Sequence, residues 1–229
     1  MSNIEKNIGY EFKNKQLLEE ALTHPSITRQ YEGTNKPFNY ERFEFLGDSV
    51  LGLVVAEILI EKYPNEKEGS LAKRHAALVR GEALAKVAKK LDIGSYLRMT
   101  QGEEAMGGRH NASNNENAAE AIIGAIYSDG GFEKARIFVK THWADMVDSM
   151  KEPPRDAKTA LQEWSQGKGF PIPEYVMVRT TGPSHDPVFE VSVKAGDLAP
   201  VTATGASKKK AEKNAATKLL EIIESDNAS

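Results

Sequence analysis

The sequence predicts two domains: an all-α domain over residues 1–150, followed by a small α+β domain of α-β-β-β-α order over residues 156–226. The first prediction depends on long segments whose apolar residues recur at helical spacing, the most apolar being Glu41–Ile60. The second depends on short segments in which apolar and polar residues alternate, as in half-buried strands. Residues 151–155 are charged, contain two prolines and have the composition of a linker.

The first domain is predicted to consist of helices with short connections. Glu41–Ile60 is apolar on nearly every side, so this helix should lie in the middle of the domain. Ser113–Glu116 matches the capping box that opens a helix, and the polar, glycine-rich Gln101–His110 is predicted to be a loop. The predicted helices cover residues 4–23, 41–60, 70–80, 82–91, 113–127 and 133–149.

The second domain is predicted from two helix caps and the strands between them. Asp156 is placed to cap a helix that ends at Gln166, and Ser207 to cap a closing helix over Lys208–Ile223. Three strands are predicted at residues 175–180, 189–194 and 201–204. A unit of roughly 70 residues is large enough to be a small independent domain.

The composition limits the kinds of function and partner. The chain has no cysteine, which excludes disulfides, thiolate nucleophiles and zinc–thiolate sites. Its net charge is −3, so nucleic-acid binding would depend on local basic patches. Neither a signal peptide nor a membrane span is visible, and no glycine-rich loop suited to a nucleotide cofactor appears. We therefore expect a cytoplasmic protein with no membrane segment and no nucleotide cofactor.

A narrow polar stripe runs along the apolar central helix. At 100° per residue, four residues align on it: Glu41, Glu44, Asp48 and Gly52. The predicted helix over 113–127 repeats these offsets with Asn117, Glu120 and Gly124. Carboxylates buried this close together repel one another, so a partner Arg or Lys, or a divalent cation, should lie against them. Glycines on such stripes would allow the two backbones to approach closely.

Three segments resemble known motifs. Glu41–Leu51, with the sequence ERFEFLGDSVL, resembles the signature of bacterial ribonuclease III, and Asn117–Gly124 resembles the second acidic motif of that family. The C-terminal unit is similar to its double-stranded RNA-binding domain. The resemblance implies a homodimeric endoribonuclease with an all-α endonuclease domain. It also implies that duplex RNA is cut with Mg²⁺, or Mn²⁺ as a substitute, to give staggered ends with 5′-phosphates in ribosomal and messenger RNA processing.

The same resemblance assigns roles to single residues. Asp48 and Glu120 match catalytic acids, and the matching metal-ligand set is Glu44, Asp48, Asn117 and Glu120. Position 117 departs from the family, which usually has Asp there, so a weakened site is one reading and a duplex-RNA-binding protein with little or no cleavage is the alternative. Glu41 is a possible auxiliary residue, with a salt bridge, a dimer contact or an RNA contact as other roles.

The predicted RNA-binding residues lie in the C-terminal domain. Three lysines, Lys208, Lys209 and Lys210, occupy a helix N-terminus, where backbone N–H groups also favour phosphate. The resemblance adds Gln162 and Gln166, at positions that reach ribose hydroxyls, and His185, in a loop that enters the minor groove. Such contacts recognise the shape of A-form RNA over about 16 base pairs rather than its sequence.

Overall fold

The computed structural model describes residues 2–27, 35–154, 156–183 and 187–227. The chain divides into two compact units, Met1–Pro154 and Arg155–Ser229. The helices of the first unit are α1 (Asn3–Ile8), α2 (Lys15–Ala21), α3 (Glu41–Lys62), α4 (Glu68–Leu78), α5 (Gly81–Lys90), α6 (Gln101–Ala105), α7 (Ala112–Gly130) and α8 (Phe132–Ser149). Within the four described ranges, no helix is both long enough and apolar enough to cross a membrane.

Helices α3 and α7 form the centre of the first unit. Apolar residues around both helices are buried, among them Leu51, Val54, Ile122 and Ile126, each with 0% of its surface exposed. The helices touch through glycine: a Cβ on Gly47 would lie 1.8 Å from the backbone oxygen of Glu120. The predicted central position of the helix that begins at Glu41 is therefore confirmed.

The close approach of α3 and α7 uses glycines that differ in part from the predicted pair. A Cβ on Gly124 would lie 2.3 Å from the Phe43 backbone oxygen, so this glycine is at the contact as expected. Gly52 is not: a Cβ there would come no nearer than 3.8 Å to any atom, the nearest being His75 Nε2. Gly47, which the polar stripe did not include, takes its place because it faces α7 directly.

Two local predictions for the first unit are wrong. The predicted helix over 4–23 is divided into α1 and α2, because Gly9 adopts a left-handed conformation with φ +71° that ends α1. The predicted loop Gln101–His110 contains the short helix α6 and a 3₁₀ turn at Gly108–His110. Thr100 caps α6 by accepting a hydrogen bond from the Glu103 N–H.

The start of α7 also differs from the predicted capping box. The cap is Asn111, whose Oδ1 accepts hydrogen bonds from Ser113 N at 2.9 Å and Asn114 N at 3.3 Å. Ser113 therefore lies inside the helix, and the predicted pairing of Ser113 with Glu116 is wrong. The consequence for the site is that Glu116 is released from a capping role.

The second unit has the predicted α-β-β-β-α order. Helix α9 (Ala157–Gly167) is followed by β1 (Glu174–Thr181), β2 (Val188–Lys194) and β3 (Val201–Gly205), and α10 (Lys208–Asn227) closes the unit. The strands form an antiparallel sheet in the order β1-β2-β3. Asp156 caps α9 as predicted, with Oδ1 accepting from Lys158 N and Thr159 N, both at 3.1 Å. The predicted fold class, helical first and α+β second, is confirmed.

Candidate active site between helices α3 and α7

The polar stripes of α3 and α7 meet in one open cleft of about 450 Å³. Helix α3 contributes Glu41, Glu44 and Asp48, and α7 contributes Asn117 and Glu120. The rest of the wall consists of Pro25, Tyr40 and Phe45. The structure thus brings together all five residues that the sequence singled out for chemistry in the first unit.

The carboxylates of the cleft differ in burial. Glu120 is 9% exposed, Glu44 is half-buried, and Asp48 and Glu41 are exposed. Burial, followed by the charges of Asp48, Glu44 and Glu116, raises the pKa of Glu120 to about 8. Burial and neighbouring acids also raise the pKa of Glu44. Each of these influences disfavours the carboxylate form, so the cleft is a place where added positive charge is stabilised.

The donor set of the cleft suits a hard divalent cation. Carboxylate and amide oxygens are the ligands that Mg²⁺ and Mn²⁺ accept, whereas zinc sites use mainly nitrogen and sulfur. Across the described part of the chain, no group of three or more His, Asp or Glu side chains already lies at metal-binding distance from one point. Ligation would therefore require the carboxylates to turn toward the centre of the cleft.

Tyr40 is a residue of the cleft wall that the sequence analysis missed. It directly precedes α3, is 2% exposed and lines the same cleft as Asn117. Burial raises the pKa of Tyr40 to about 12. Tyr40 directly precedes the signature segment, but nothing in its spacing indicated a position beside α7.

Glu116, which was predicted to be part of a capping box, has a different position in the structure. Its carboxylate lies against the first residue of α5, because a Cβ on Gly81 would be 2.2 Å from Glu116 Oε2. From there it contributes to the raised pKa values of both Glu44 and Glu120. Glu116 therefore adds negative charge near the cleft.

Glu41 lies at the mouth of the cleft and is held locally. Its Oε2 accepts a hydrogen bond from Asn39 Nδ2 at 3.1 Å, and its N–H donates to Asn39 Oδ1 at 3.2 Å. This pairing leaves the carboxylate exposed and on the cleft wall. Its auxiliary role stays a prediction.

The predicted RNA-binding residues of the second unit are accessible where the structure describes them. Gln162 and Gln166 are exposed on α9. The run Lys208–Lys210 is exposed in the first turn of α10, where Ser207 Oγ accepts a hydrogen bond from Lys210 N at 3.2 Å. His185, the remaining predicted residue, lies outside the described residues.

Comparisons with protein families and solved structures agree with this architecture. Residues 14–146 match the family model described as ribonuclease-III-like, and residues 157–223 match the double-stranded RNA binding motif. Ribonuclease 3 of Ehrlichia ruminantium (strain Gardel) is 49% identical over 220 residues, which is 96% of each chain. Ribonuclease 3 of Wolbachia pipientis wMel is 48% identical and covers 97% of this chain and 96% of its own.

Two solved structures of the nuclease domain of ribonuclease III from Campylobacter jejuni are similar to the first part of the chain. One is 42% identical with a TM-score of 0.58, covering 63% of this chain and 93% of its own. The other, described as flexible in a region involved in dimer formation, is 41% identical with a TM-score of 0.57 and covers 62% and 98%. The first part of the chain is therefore similar to these nuclease domains in structure as well as in sequence.

The family assignment follows from the extent of these matches. The two family models together span most of the chain, and the relatives match it nearly from end to end. Members of this family are generally metal-dependent, which agrees with the oxygen-rich cleft. The chain therefore belongs to the ribonuclease III family and is an endoribonuclease that acts on double-stranded RNA.

Proposed function

We propose that this chain hydrolyses phosphodiester bonds of duplex RNA with Mg²⁺, for which Mn²⁺ substitutes, held by Glu44, Asp48, Asn117 and Glu120. The supporting observation is that these three carboxylates and one amide, together with the carboxylate of Glu41, line a single open cleft between two packed helices. A bound Mg²⁺ supplies positive charge that readies a water for attack and stabilises the phosphoryl oxygens. All four side chains offer the oxygen ligands that this ion requires.

Asp48 and Glu120 are the proposed catalytic acids, and their surroundings give them different tasks. Glu120 is buried and has a pKa of about 8, so near neutral pH a proton and a cation compete for its carboxylate. Asp48 is exposed at the mouth of the cleft, where the scissile phosphate and its water would enter. Glu41, at the same mouth, is the proposed auxiliary residue.

The departure from the family at position 117 gives the most direct test of the metal site. Asn117→Asp should lower the half-saturating Mg²⁺ concentration for cleavage about tenfold, because the added charge attracts the ion and repulsion from the other acids offsets part of the gain. Mg²⁺ and Mn²⁺ would be titrated into cleavage of a long, perfect RNA duplex. Ser113→Asp, which adds the same charge at an exposed position of α7, should leave the metal requirement unchanged.

Two outcomes of this titration would change the proposal. If Asn117→Asp and Ser113→Asp behave alike, position 117 is not a ligand. If only the Asn117→Asp variant cuts RNA, the unmodified chain is a duplex-RNA-binding protein with a disabled site. That alternative arises because Asn117 supplies an uncharged oxygen where Asp would supply a charge.

The second unit is proposed to hold duplex RNA through Lys208, Lys209 and Lys210, with Gln162, Gln166 and His185 contacting ribose or the minor groove. The lysines are exposed at a helix N-terminus, where backbone N–H groups and side-chain charge would act on the same phosphate. Recognition of this kind depends on RNA shape. The proposed substrates are structured precursors of ribosomal and messenger RNA in the cytoplasm.

The lysine run can be tested through the salt dependence of binding. Changing Lys208 and Lys209 to Ala should weaken duplex binding and reduce the slope of log K against log [salt] by about 1–2, since each lost phosphate contact releases about one counterion fewer. Changing the exposed Lys194 and Lys218 to Ala removes the same charge elsewhere in this unit. If both double variants lower the slope equally, the effect reflects net charge, and the proposed phosphate site at the N-terminus of α10 is wrong.

We also propose that the chain is a homodimer, in which case two clefts would act on one duplex, cutting each strand once to leave staggered ends with 5′-phosphates. Helix α3 exposes three large apolar side chains: Phe45 (79% exposed), Leu53 (59%) and Ile60 (63%). Exposed apolar side chains grouped on one helix favour a protein interface. The Campylobacter jejuni nuclease domain is described as having a region involved in dimer formation, which supports the same expectation for this chain.

The dimer is checked by measuring mass in solution. Light scattering should give twice the 25.2 kDa of one chain. Leu53→Lys should shift the population toward the monomer, because a charge would be buried in the interface. Ile172→Lys, at a 65% exposed apolar position of the second unit, should not. A monomeric unmodified chain at micromolar concentration would contradict the proposal.

A further inference from the structure

Three rings line the cleft beside its acids and its amide: Pro25, Tyr40 and Phe45. Tyr40 is 2% exposed and offers almost no surface, and Phe45 belongs to the exposed apolar side chains proposed for the dimer. Pro25 is partly exposed. When a phosphodiester enters the cleft, the uncharged face of its ribose suits a part of the wall that carries no charge. Pro25 provides that surface, and its ring is rigid.

Pro25 is held in a tight turn over residues 24–27. Ile27 N donates to the His24 backbone oxygen at 3.0 Å, which closes a four-residue turn with proline in its second position, where the fixed φ of proline is favourable. The first residue of the turn is anchored as well, since His24 N donates to the Arg98 backbone oxygen at 2.8 Å. The position of Pro25 in the cleft wall therefore depends on this turn.

The side chain of His24 completes the turn. Its Nδ1 accepts a hydrogen bond from Ser26 N at 3.0 Å, which is the bond that an Asn or Asp side chain makes from the first position of such a turn. A ring nitrogen that accepts carries no proton, so the proton of the neutral imidazole is on Nε2. Nε2 lies 3.3 Å from Asn114 Oδ1 and is the donor of that bond.

Asn114 is oriented to accept the bond from His24. Its Nδ2 donates to Glu103 Oε1 and to the Gly108 backbone oxygen, both at 3.1 Å. Because both partners are acceptors, the amide nitrogen faces them, and the amide oxygen is left for His24. Asn114 is 9% exposed and lies on α7, the helix that carries two of the proposed metal ligands. His24 thus joins the turn to a helix of the cleft.

We propose that Pro25 is a substrate contact that packs against the ribose beside the scissile phosphate, and that His24 is the positioning residue that fixes Pro25 through its bond to Ser26. The inference rests on the proposed function, because it needs the cleft between α3 and α7 to be the place of cleavage. Without the bond to Ser26, Pro25 is free to shift, and a displacement of about 1 Å in a group that positions the substrate costs up to about 100-fold in rate.

Two substitutions of His24 separate the bonds of its ring. His24→Asn keeps an acceptor near the position of Nδ1 and loses the donor, whereas His24→Gln keeps a donor near the position of Nε2 and loses the acceptor for Ser26 N. The rate is measured in single turnover at saturating duplex, so that differences in RNA binding do not contribute. Mn²⁺ binding without RNA, duplex binding and thermal unfolding are recorded for each variant. His110→Gln makes the same change at an exposed histidine outside the cleft wall and is the control.

The expected result is a loss that asparagine rescues and glutamine does not. His24→Gln should slow cleavage about 10–30-fold, and His24→Asn should stay within about threefold of the unmodified chain. Pro25→Ala should slow cleavage about 5–10-fold alone and should add nothing to His24→Gln, because both act through the same contact. The rate in His110→Gln, and Mn²⁺ and duplex binding in every variant, should change less than about twofold. Equal losses in His24→Asn and His24→Gln, or additive losses in the double variant, would overturn the proposal.

Failure of this inference can be told apart from failure of the proposed function. If Glu120→Gln lowers the rate but His24→Gln and Pro25→Ala do not, the cleft is the active site and the role of the turn is wrong. If Glu120→Gln leaves the rate unchanged, the proposed function is wrong, and the role of the turn is overturned with it. If His24→Gln does not fold, Pro25→Ala decides: an unchanged rate overturns the proposal, and a slower rate with unchanged Mn²⁺ binding supports it.

Discussion

Glu120→Gln is expected to lower the rate of duplex cleavage by about 10³-fold or more, which corresponds to about 4 kcal/mol of lost transition-state stabilisation. The amide keeps the size of the side chain but removes the charge at the most buried of the proposed ligands. Binding of duplex RNA should change little, because the proposed RNA contacts lie in the second unit. Single-turnover cleavage and equilibrium binding, measured on one duplex, separate the two effects.

Glu116→Gln is the matched control for this prediction. It makes the same chemical change on the same helix, at a carboxylate that contributes to the charge around Glu120 but is absent from the cleft wall. We expect it to change the rate by only a few fold. Equal losses for the two variants would mean that total negative charge matters and that Glu120 has no special role. A parallel loss of RNA binding in Glu120→Gln would mean that the helix is only structural.

Gly47→Ala is expected to destabilise the first unit by about 3 kcal/mol or more, at the upper end of overpacking effects. The added methyl group would lie 1.8 Å from the Glu120 oxygen and 2.6 Å from its carbonyl carbon. Both are backbone atoms, so the strain is relieved only if the two central helices move apart. For a unit of this size, the loss corresponds to about 6–12 °C in unfolding temperature.

Gly52→Ala on the same helix is the control for that loss. A Cβ there meets nothing closer than 3.8 Å, an ordinary contact. Because alanine is the better helix former, this variant should gain about 0.5–1 kcal/mol. The unfolding temperature of the first unit would be measured by calorimetry for both glycine variants. Similar shifts in both variants would contradict the close contact between α3 and α7.

Most of the fold could be predicted because its pattern is repeated along the chain. The apolar periodicity of α3 and α7 extends over several turns, and the alternation in β1 and β2 over several residues, so local exceptions do not change the prediction. Helix starts depend on single side chains, and Asn111 and Ser113 are both good caps. Asn111 is the cap in the folded chain, and the sequence alone did not distinguish the two.

The predicted loop Gln101–His110 shows a different limit. Its glycines favour irregular structure, yet Arg109 is held by backbone oxygens that lie outside this segment. Its Nη1 donates to the Leu97 backbone oxygen at 2.7 Å and to the Gly94 backbone oxygen at 3.3 Å. Tertiary bonds of this kind outweigh local preference and leave no trace in a short sequence window.

The candidate site likewise contains residues that the sequence predicts and residues that it does not. Glu44 and Asp48 share one helical stripe, and Asn117 and Glu120 share another, so spacing predicts each pair. Tyr40 precedes the helix and lines the same cleft as Asn117 only because α7 packs there. The same crossing selects Gly47 over Gly52 for the close contact, since the point where two helices cross is set by packing across the whole unit.

The contact of bare backbone at Gly47 and Gly124 has a consequence for the choice among divalent ions. Because no side chain separates the helices there, main-chain atoms, which compress very little, fix the spacing between the two rows of proposed ligands. Mg²⁺ binds oxygen at about 2.0–2.1 Å, and Ca²⁺ at about 2.3–2.6 Å. We therefore expect the glycine contact, which fixes the two backbones that carry the proposed ligands, to favour the smaller ion.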